Sequence, residues 1–517
     1  MAMKKQVEMY YAAVFDQAFQ TAISTINNCK GYGAFAPGGG YKGIWLADSI
    51  FTLEAYRYFG FDAVEILKNI IVLFGDRQDE NGDFPTVFWG DEKTIDYGGR
   101  YDMLNDRKQH RDMETPYLFI HANYLLWKNY NDGSLFRKYH TAMKKSLRSL
   151  ERRKDSKTQL ILSTYGPAFA DICVDDAVPQ TTVYPYFTST YVSAYKELYE
   201  MAASISNTAG LKRYSARAES LRKAMNKYLW SDERGRYEVK IMKTPVTTDE
   251  TMAAFHISED TRFPVICNMM SLYHEIPDDE RKVDRLIRCI EDCETGLKVW
   301  GRSIFPAYPD NYFTKQAPHL FNNGNYFCGD VWTWFSNKYA LPLFKLGYPG
   351  KALDLLKRQA DVAVRDNGFS EFYEDDAEGK RKGNFPYAGT ASSFIYALVE
   401  GLFGLRADYP GGRIFIHPSL RKSGRIRCRL GEHDAELSVV INKSKRMIRL
   451  EFKSTYAGKA DFRVLIPREF KNYCVKLLRD GIETMPVQSV KTGESFYMAF
   501  EDELKPGLNA YIFEFNR

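Results

Sequence analysis

The spacing of apolar side chains divides this chain into two parts. Up to about residue 405, apolar positions recur every three to four residues, which is the period of an amphipathic helix. Glycines mark where several helices should stop, as in "FGF" at 59–61 and "LGYPG" at 346–350. The pattern predicts about a dozen helices that tend to follow one another in pairs, at 9–27, 48–59, 62–74, 115–130, 134–153, 187–204, 209–229, 249–257, 279–291, 329–346, 348–365 and 387–404.

From about residue 406 onward the period changes from 3.6 to 2. Segments such as "RIFIHPSL", "AELSVVI", "MIRLEFK" and "NAYIFEF" alternate apolar and polar positions between turns rich in Gly, Asn and Lys. About eight such strands are typical of an antiparallel β-sandwich. We therefore predict an (α/α)6 toroid over residues 1–405, followed by a β-sandwich domain over residues 406–517.

Composition excludes several classes of protein. The chain of 517 residues is 44% hydrophobic and 26% charged, and its net charge of +5 comes without a Lys/Arg block of the kind that binds nucleic acid. The longest apolar run, "ILKNIIVLFG", is too short to span a bilayer, and the start "MAMKKQVEMYYAAVF" lacks the apolar core of a signal peptide. We expect a cytoplasmic protein that binds neither nucleic acid nor membranes.

Cysteine and aromatic content adds two expectations. The eight cysteines are scattered and form no CxxC pair, which favours free thiols over a disulfide framework or a metal site. Aromatic residues make up 15% of the chain, with 35 Tyr and 34 Phe, which is more than a core needs. Stacking platforms for sugar rings are one use for such an excess.

The segment "GGGYKGIWLADSIFTLEAYRYFGF", residues 38–61, is the first that could carry chemistry. A Gly-rich loop leads to Tyr41 and Trp45, and Asp48 follows at the start of a predicted helix. Asp48 has two interpretations, since it could cap that helix or accept hydrogen bonds from sugar hydroxyls while Trp45 stacks on the sugar. The two interpretations are compatible.

The segment "QDENGDFPTVFWG", residues 78–90, has the acidic spacing of a calcium loop at its start. The bidentate Glu that such a loop requires further along is missing, so a Gly-containing turn is the better interpretation. Phe88 and Trp89 would then lie at the rim of a pocket.

Three aspartates, Asp171, Asp175 and Asp176, lie in the loop "YGPAFADICVDDAVPQTTVYPYF" just before a predicted helix. A carboxyl group among apolar and aromatic residues has its charged form disfavoured, so its pKa rises, as a general acid requires. The alternative is that they are ordinary loop aspartates that cap the helix and its turns.

Two later segments combine carboxylates with aromatic rings. In "GFSEFYEDD", residues 368–376, Glu371 and Glu374 lie among three aromatic residues, which suits a sugar site better than a solvated surface. In "NYFCGDVWTWFSNKYALPLFKLG", residues 325–347, Asp330, Trp332 and Trp334 open a predicted helix. Residues two apart cannot both face one side of a helix, so at least one Trp should face the loops.

In order and spacing these motifs resemble the inverting (α/α)6 glycoside hydrolases: trehalase, processing α-glucosidase I with its bacterial relatives, and more distantly glucoamylase. The resemblance covers about the first 405 residues. In "WLADS", Trp45 and Asp48 correspond to the sugar pocket, and in "VDDAV", Asp175 corresponds to the general acid. In "GDVW", Trp332 opens a late helix, and in "SEFYED", Glu371 corresponds to the catalytic base.

The segment "FPYAGTASSFIYALVEGLFGL" completes the resemblance, because a Gly and aromatic stretch leads into the final helix of those enzymes. Two departures leave the catalytic pair open. Val174 stands where the family usually has Trp or Met, so Asp171 and Asp176 remain alternative acids. Glu374, three residues after Glu371, remains an alternative base.

The resemblance implies an inverting, exo-acting hydrolase of α-glucosides or related oligosaccharides. Asp175 would protonate the leaving oxygen, and Glu371 would activate the attacking water. This mechanism requires no metal and no organic cofactor. The residues implied to bind substrate are Tyr41, Trp45, Asp48, Trp89, Asp330, Trp332 and Tyr387.

Other functions are weighed against this one. A toroid phosphorylase uses phosphate in place of water and lacks the carboxylate base, so Glu371 counts against it. A lyase would need a Tyr/His pair with Arg, and the eight histidines do not cluster with these segments. A non-catalytic sugar-binding protein is the remaining alternative, which incubation with aryl glycosides and disaccharides, with and without phosphate, would distinguish. The sugar, its linkage and the oligomeric state stay open.

Overall fold

The structure, a computed structural model, describes residues 7–38, 41–90, 93–96, 113–162, 182–204, 208–241, 262–307, 326–483 and 487–516. Within these residues it contains twelve α-helices. They are α1 (Ala13–Asn28), α2 (Leu46–Tyr56), α3 (Ala63–Gly75), α4 (Thr115–Tyr130), α5 (Ser134–Glu151), α6 (Pro185–Ala203), α7 (Thr208–Tyr228), α8 (Val265–Tyr273), α9 (Glu280–Glu294), α10 (Thr333–Lys345), α11 (Pro349–Arg365) and α12 (Ala388–Tyr396), which continues as a π-helical turn over Ala397–Leu402.

The even-numbered helices form a closed cycle of contacts, which we call the inner ring. Each of α2, α4, α6, α8 and α10 contacts the next, and α12 contacts both α10 and α2. The odd-numbered helices lie outside this ring, each against one or two inner helices. Burial follows this division, since α4 is buried around most of its circumference whereas α9 buries a single face.

Most helices lie within a few residues of their predicted bounds, and α4 has the predicted bounds. Three differences are informative. Residues Glu8–Tyr10 form a strand, so the prediction that the first helix begins at residue 9 is wrong. Helix α8 was not predicted, because it has only nine residues and is buried on nearly all sides, and so short an apolar run does not distinguish a helix from a strand. The helix predicted at 249–257 lies outside the described residues.

After α12 the chain is built mainly of β-strands, β13 to β23, whereas β1 to β12 are short strands that lie earlier in the chain. The described strands are β1 (Glu8–Tyr10), β2 (Lys30–Gly31), β3 (Ala34–Phe35), β4 (Gly43–Trp45), β5 (Val87–Trp89), β6 (Thr94–Asp96), β7 (Thr182–Val183), β8 (Trp230–Ser231), β9 (Arg236–Tyr237), β10 (Lys240–Ile241), β11 (Phe372–Tyr373), β12 (Arg381–Lys382), β13 (Leu405–Asp408), β14 (Arg413–Ile416), β15 (Gly424–Leu430), β16 (His433–Asn442), β17 (Met447–Ser454), β18 (Gly458–Ile466), β19 (Cys474–Arg479), β20 (Ile482–Glu483), β21 (Gln488–Thr492), β22 (Ser495–Leu504) and β23 (Gly507–Asn516).

Two larger sheets make up this C-terminal part. One has seven strands in the order β1-β15-β16-β17-β23-β19-β20, and the other has five in the order β13-β14-β18-β22-β21. Aromatic side chains join the two sheets, with ring centroids 4.8 Å apart for Phe462 and Tyr511 and 5.9 Å apart for Phe500 and Phe513. The N-terminal strand β1 pairs with β15, so the chain start is anchored in the C-terminal part.

A buried group of charged residues, which we call the axial network, joins four inner helices. Glu54 on α2 forms an ion pair with Lys338 Nζ on α10 at 2.7 Å and lies 3.2 Å from His121 Nε2 on α4. His121 Nδ1 lies 2.7 Å from Glu197 Oε1 on α6. Burial disfavours the charged imidazole, but Glu197 and Glu54 outweigh it and raise the pKa of His121 to about 9. The ring axis therefore holds paired charges rather than apolar packing alone.

We expect Lys338→Met to destabilise the fold by about 3–5 kcal/mol, because it leaves the carboxylate of Glu54 buried without its ammonium partner. The measurement is the free energy of unfolding in urea. The control is Lys357→Met, which removes an ion pair with Asp361 from an exposed helix face, where Lys357 is 55% accessible. That change should cost no more than about 1 kcal/mol. Equal losses in the two variants would contradict a structural role for the axial network.

Candidate active site

Most of the described candidate residues lie at one end of the inner ring. Asp48 is in the first turn of α2, Trp332 directly precedes α10, and Tyr387 directly precedes α12. Glu371 lies in the connection between α11 and α12, immediately before β11. The N-terminal ends of successive inner helices thus collect these side chains from distant parts of the sequence.

Glu371 is held by hydrogen-bond donors on both carboxylate oxygens. Its Oε1 accepts from the hydroxyl of Tyr41 at 3.0 Å. Its Oε2 accepts from the backbone N–H and from Nδ2 of Asn384, both at 2.8 Å. A short hairpin creates this arrangement, because β11 follows Glu371, β12 precedes Gly383 and Asn384, and the two strands pair antiparallel.

Gly383 makes room for this carboxylate. Its φ of +69° lies in the left-handed region, and a Cβ built on it would stand 2.4 Å from the Phe372 ring and 2.8 Å from Glu371 Oε2. A side chain here would therefore be strained and would also displace Glu371.

The environment of Glu371 suits a general base. The side chain is only 4% accessible. Burial raises its pKa, and the hydrogen bonds from Asn384 and Tyr41 oppose this only in part, so the pKa stays above the ordinary value. A carboxylate whose pKa is raised toward neutrality accepts a proton more readily than an exposed one, while the three donors keep its oxygens oriented.

Aromatic rings extend from Tyr41 along one side of the site. The centroids of Tyr41 and Trp45 are 6.4 Å apart, and those of Trp45 and Trp89 are 6.1 Å apart, both edge to face. The pairing of β4 with β5 sets this arrangement, since it places Trp45 opposite Val87 and Gly43 opposite Trp89. The "WLADS" and "PTVFWG" segments of the sequence therefore lie side by side and form one wall of the site.

Asp48 and Tyr387 are joined by a hydrogen bond in which the Tyr387 hydroxyl donates to Asp48 Oδ1 at 2.5 Å. Burial raises the pKa of Tyr387 well above its ordinary value, and the nearby carboxylates of Asp48 and Glu371 add to the effect. The interpretation of Asp48 as the N-cap of α2 is wrong, because Trp45 occupies that position. The first-turn position still lets the helix dipole favour its negative charge.

Asp330 forms a second buried acidic group beside the same hairpin. It accepts from the N–H of Tyr326 at 2.6 Å and from Lys382 Nζ at 3.0 Å. Burial raises the pKa of Asp330 to about 7, against the lowering effects of Lys382 and the Tyr326 N–H. Glu374 is partly exposed, and its charge contributes to raising the Asp330 pKa. Glu371 and Glu374 thus occupy different surroundings, the first buried and the second partly exposed.

Trp332 is placed differently from the sequence expectation. Its ring stacks between Phe327, at 3.9 Å, and Phe372, at 4.8 Å, and it is only 2% accessible. A ring covered on both faces has none left for a sugar, so we assign Trp332 to the packing under the Glu371 hairpin. The prediction of a Trp332 contact with substrate is corrected accordingly.

Two residues of this site were not singled out from the sequence. Asn384 supplies two of the three donors to Glu371, and Lys382 pairs with Asp330. The sequence does place the "KGN" segment shortly after "SEFYE". The two segments indicate a hairpin only if the strand in each of them is recognised. The three candidate acids, Asp171, Asp175 and Asp176, lie outside the described residues, so the choice among them stays a prediction.

Among the described residues, no group of three or more His, Cys, Asp or Glu side chains is arranged to hold a metal ion. No described helix combines the length and apolar character needed to cross a bilayer.

Two family models match the chain. Residues 174–388 match the mannosylglycerate hydrolase MGH1-like glycoside hydrolase domain. Residues 23–255 match the bacterial alpha-L-rhamnosidase 6 hairpin glycosidase domain. Each covers less than half of the chain, but together they include all the candidate site residues. The chain thus carries a glycoside hydrolase domain of the six-hairpin type, followed by a β-rich part.

Solved structures have the same fold. The α-L-rhamnosidase of Dictyoglumus thermophilum matches 98% of this chain with 50% of its own, at 14% identity and a TM-score of 0.64. The α-L-rhamnosidase of Streptomyces avermitilis, complexed with L-rhamnose, matches 98% of this chain with 42% of its own, at 13% identity and a TM-score of 0.63. This chain therefore spans half or less of the length of those rhamnosidases.

The mannosylglycerate hydrolase of Thermus thermophilus, in complex with Tris and D-glycerate, matches 73% of this chain with 99% of its own, at 14% identity and a TM-score of 0.54. A search of curated proteins found no match to this sequence. The narrower resemblance to trehalase, α-glucosidase I and glucoamylase is not tested by these matches and stays a prediction.

The raised pKa of Glu371 predicts a stability effect. The folded protein holds the Glu371 proton more tightly than the unfolded chain does, so ionisation above the ordinary pKa of 4.5 destabilises the fold. Glu371→Gln keeps the shape, and its amide oxygen can still accept from Asn384. We expect this variant to be more stable than the wild type at pH 7, with a difference that shrinks toward pH 4.

The measurement is thermal denaturation at both pH values. Glu378→Gln, at an exposed position, is the control for the loss of one negative charge. A Glu371→Gln variant that is less stable than the wild type at pH 7 would show that the carboxylate is a stabilising structural group.

Proposed function

We propose that this protein is an inverting, exo-acting glycoside hydrolase in which Glu371 is the general base. The observation that carries the proposal is the buried carboxylate of Glu371, fixed by the Tyr41 hydroxyl and by both donors of Asn384 at one end of the inner ring. A carboxylate held this way can take a proton from a water molecule without changing its position.

The mechanism needs two carboxyl groups on opposite faces of the bond that is cleaved. Glu371 removes a proton from water as the water attacks the anomeric carbon, and a protonated carboxyl on the other side donates to the leaving oxygen. We propose Asp175 for the acid, with Asp171 and Asp176 as the alternatives. Its carboxyl should stand roughly 6.5–9.5 Å from that of Glu371, because a water must fit between the base and the sugar.

The remaining site residues are proposed to bind the sugar. Asp48 is fixed by Tyr387 and can accept hydrogen bonds from sugar hydroxyls with its other oxygen lone pairs. Tyr41, Trp45 and Trp89 form an aromatic wall beside Glu371. Asp330, whose pKa is raised to about 7, is proposed to lie close to the substrate but not to act as the base, because Lys382 already holds it.

The closed cycle of six inner helices supports an (α/α)6 toroid, and the contacts between the two C-terminal sheets support a β-sandwich. We propose the domain boundary at residues 405 and 406, at the start of the strand Leu405–Asp408 and shortly after the turn that ends at Leu402. The cytoplasmic location stays a prediction. The seven cysteines in the described residues form no disulfide, which is compatible with it.

The proposed substrate is a small glycoside or oligosaccharide with a terminal sugar that fits the site. The sequence favoured α-glucosides, whereas the similar structures are named as acting on rhamnosides and on mannosylglycerate. The test is a hydrolysis panel of aryl α-glucoside, α-mannoside and α-L-rhamnoside together with mannosylglycerate. Each is run with and without phosphate. Turnover that depends on phosphate would indicate a phosphorylase, and no turnover on any substrate would favour a binding protein.

With the substrate that this panel selects, we expect Glu371→Gln to lower kcat/KM by about 10²–10⁴-fold, the contribution typical of a general base. The matched control is Glu374→Gln, in the same segment, which should stay close to the wild type. Steady-state kinetics at pH 7 measure both, and circular dichroism checks the folds. An active Glu371→Gln beside an inactive Glu374→Gln would transfer the role of base to Glu374.

The inverting mechanism predicts the configuration of the product. Proton NMR of the first-formed sugar should show the anomer opposite to that of the substrate, before mutarotation equilibrates the two forms. Release of the same anomer would mean direct attack by a carboxylate, which requires the two carboxyl groups to stand only about 5–5.5 Å apart.

A further inference from the structure

A cavity lies toward the opposite end of the inner ring from Glu371. It has a volume of about 560 Å³ and separates the C-terminal ends of inner helices from the five-stranded sheet. Glu197, His274 and Tyr396 line it from the ring, and Arg406 and Arg463 line it from the sheet. Its volume is within the range of about 300–1,000 Å³ that is typical of small-molecule sites, and domain interfaces are a common place for such sites.

The charges that line this cavity do not all pair with one another. Each of its glutamates has a cationic partner: Glu197 pairs with His121, Glu200 with Lys128, Glu275 with Lys196 and Lys345, and Glu400 with Arg57. Arg406 and Arg463 make no ion pair with any residue that the structure describes. The sheet side of the cavity therefore carries two guanidinium groups in excess.

Each of these two arginines lies over an aromatic ring. The guanidinium of Arg463 lies 4.1 Å from the centroid of Tyr497, and that of Arg406 lies 4.6 Å from Phe415. A ring contact of this kind uses none of the N–H groups of a guanidinium as conventional hydrogen-bond donors. The Nε and Nη2 of Arg463 are buried without an acceptor among the described residues. A planar or tetrahedral oxyanion supplies the acceptors that these N–H groups bind best.

The ring side of the cavity offers neutral and acidic hydrogen-bonding atoms. His274 is 3% accessible; its Nδ1 lies 2.6 Å from the Ser193 hydroxyl, and its Nε2 has no described partner. Burial lowers the pKa of His274 well below its ordinary value, so the ring is neutral. The Oε2 of Glu197 is likewise buried without a hydrogen bond in the described chain. These atoms suit hydroxyl groups, which both donate and accept.

We propose that this cavity binds a small organic oxyanion that carries hydroxyl groups, either a sugar phosphate or a sugar acid, at a site separate from the candidate active site. Arg406 and Arg463 bind the oxyanion, and Glu197 and His274 bind hydroxyl groups. The tyrosines on the cavity wall, including Tyr396, pack against the carbon skeleton. The proposal does not depend on glycosidase activity, because no residue of the candidate active site lines the cavity.

Isothermal titration calorimetry of the full chain tests it with four probes: glucose 6-phosphate, glucuronate, glucose and inorganic phosphate. We expect one of the two charged sugars to bind saturably, and which of them binds distinguishes a phosphate from a carboxylate ligand. Glucose and inorganic phosphate should each bind at least about tenfold more weakly, because each lacks one half of the recognised groups.

The variant Arg406→Gln/Arg463→Gln should weaken binding of the charged sugar by at least about tenfold. Arg413→Gln is the matched control, since Arg413 belongs to the same sheet, lies 3.8 Å from Glu501 and does not line the cavity. Circular dichroism checks that each variant is folded, and the single variant Arg463→Gln replaces the double one if that does not fold. Absence of saturable binding by both charged sugars, or binding that the arginine variants leave unchanged, would overturn the proposal.

Discussion

The axial network is the constraint on which the rest of the helical part depends. Glu54 and Lys338 are almost completely buried, and they lie on two different inner helices. A buried charge is tolerated only when its partner is in place, so the pair is compatible with one arrangement of α2 against α10. His121 and Glu197 extend the same requirement to α4 and α6. The register of four inner helices, and hence the position of the residues at their ends, follows from these contacts.

The two ends of the inner ring differ in their chemistry. At the N-terminal end of α2 the helix dipole favours the carboxylate of Asp48, and Glu371 lies at the same end of the inner ring, held by Tyr41 and Asn384. At the C-terminal ends the chain meets the five-stranded sheet, where the Tyr497 hydroxyl donates to the Phe344 carbonyl at 3.5 Å. Covering one end with the sheet leaves the other end for the long connections of the helical part, which carry several of the candidate residues.

Much of this arrangement could be predicted from the sequence because it depends on residues that are close together in the chain. Helix α4 was predicted well because its sixteen residues form a long, mostly apolar stretch with a proline near its start. Trp45, Asp48, Glu371 and Tyr387 were found because each stands beside a Gly-rich or aromatic segment at a helix end.

What could not be predicted depends on partners that are distant or unmarked. The role of Asn384 appears only when the hairpin is closed, because an isolated asparagine gives no sign of which carboxylate it will contact. Trp332 gives the same signal whether it faces a sugar or is stacked between Phe327 and Phe372. The strand β1 is only three residues long, too short to show a period, and it forms because β15 is available as a partner.

The central claim, that Glu371 activates the attacking water, is tested most directly by chemical rescue. If Glu371 is the base, Glu371→Ala leaves a space beside the anomeric carbon that azide can fill, and azide attacks without needing a base. The account predicts that azide restores turnover of the Glu371→Ala variant and yields a glycosyl azide of inverted configuration, whereas it does not stimulate Glu374→Ala. Rescue of Glu374→Ala alone, or a glycosyl azide of retained configuration from Glu371→Ala, would contradict it.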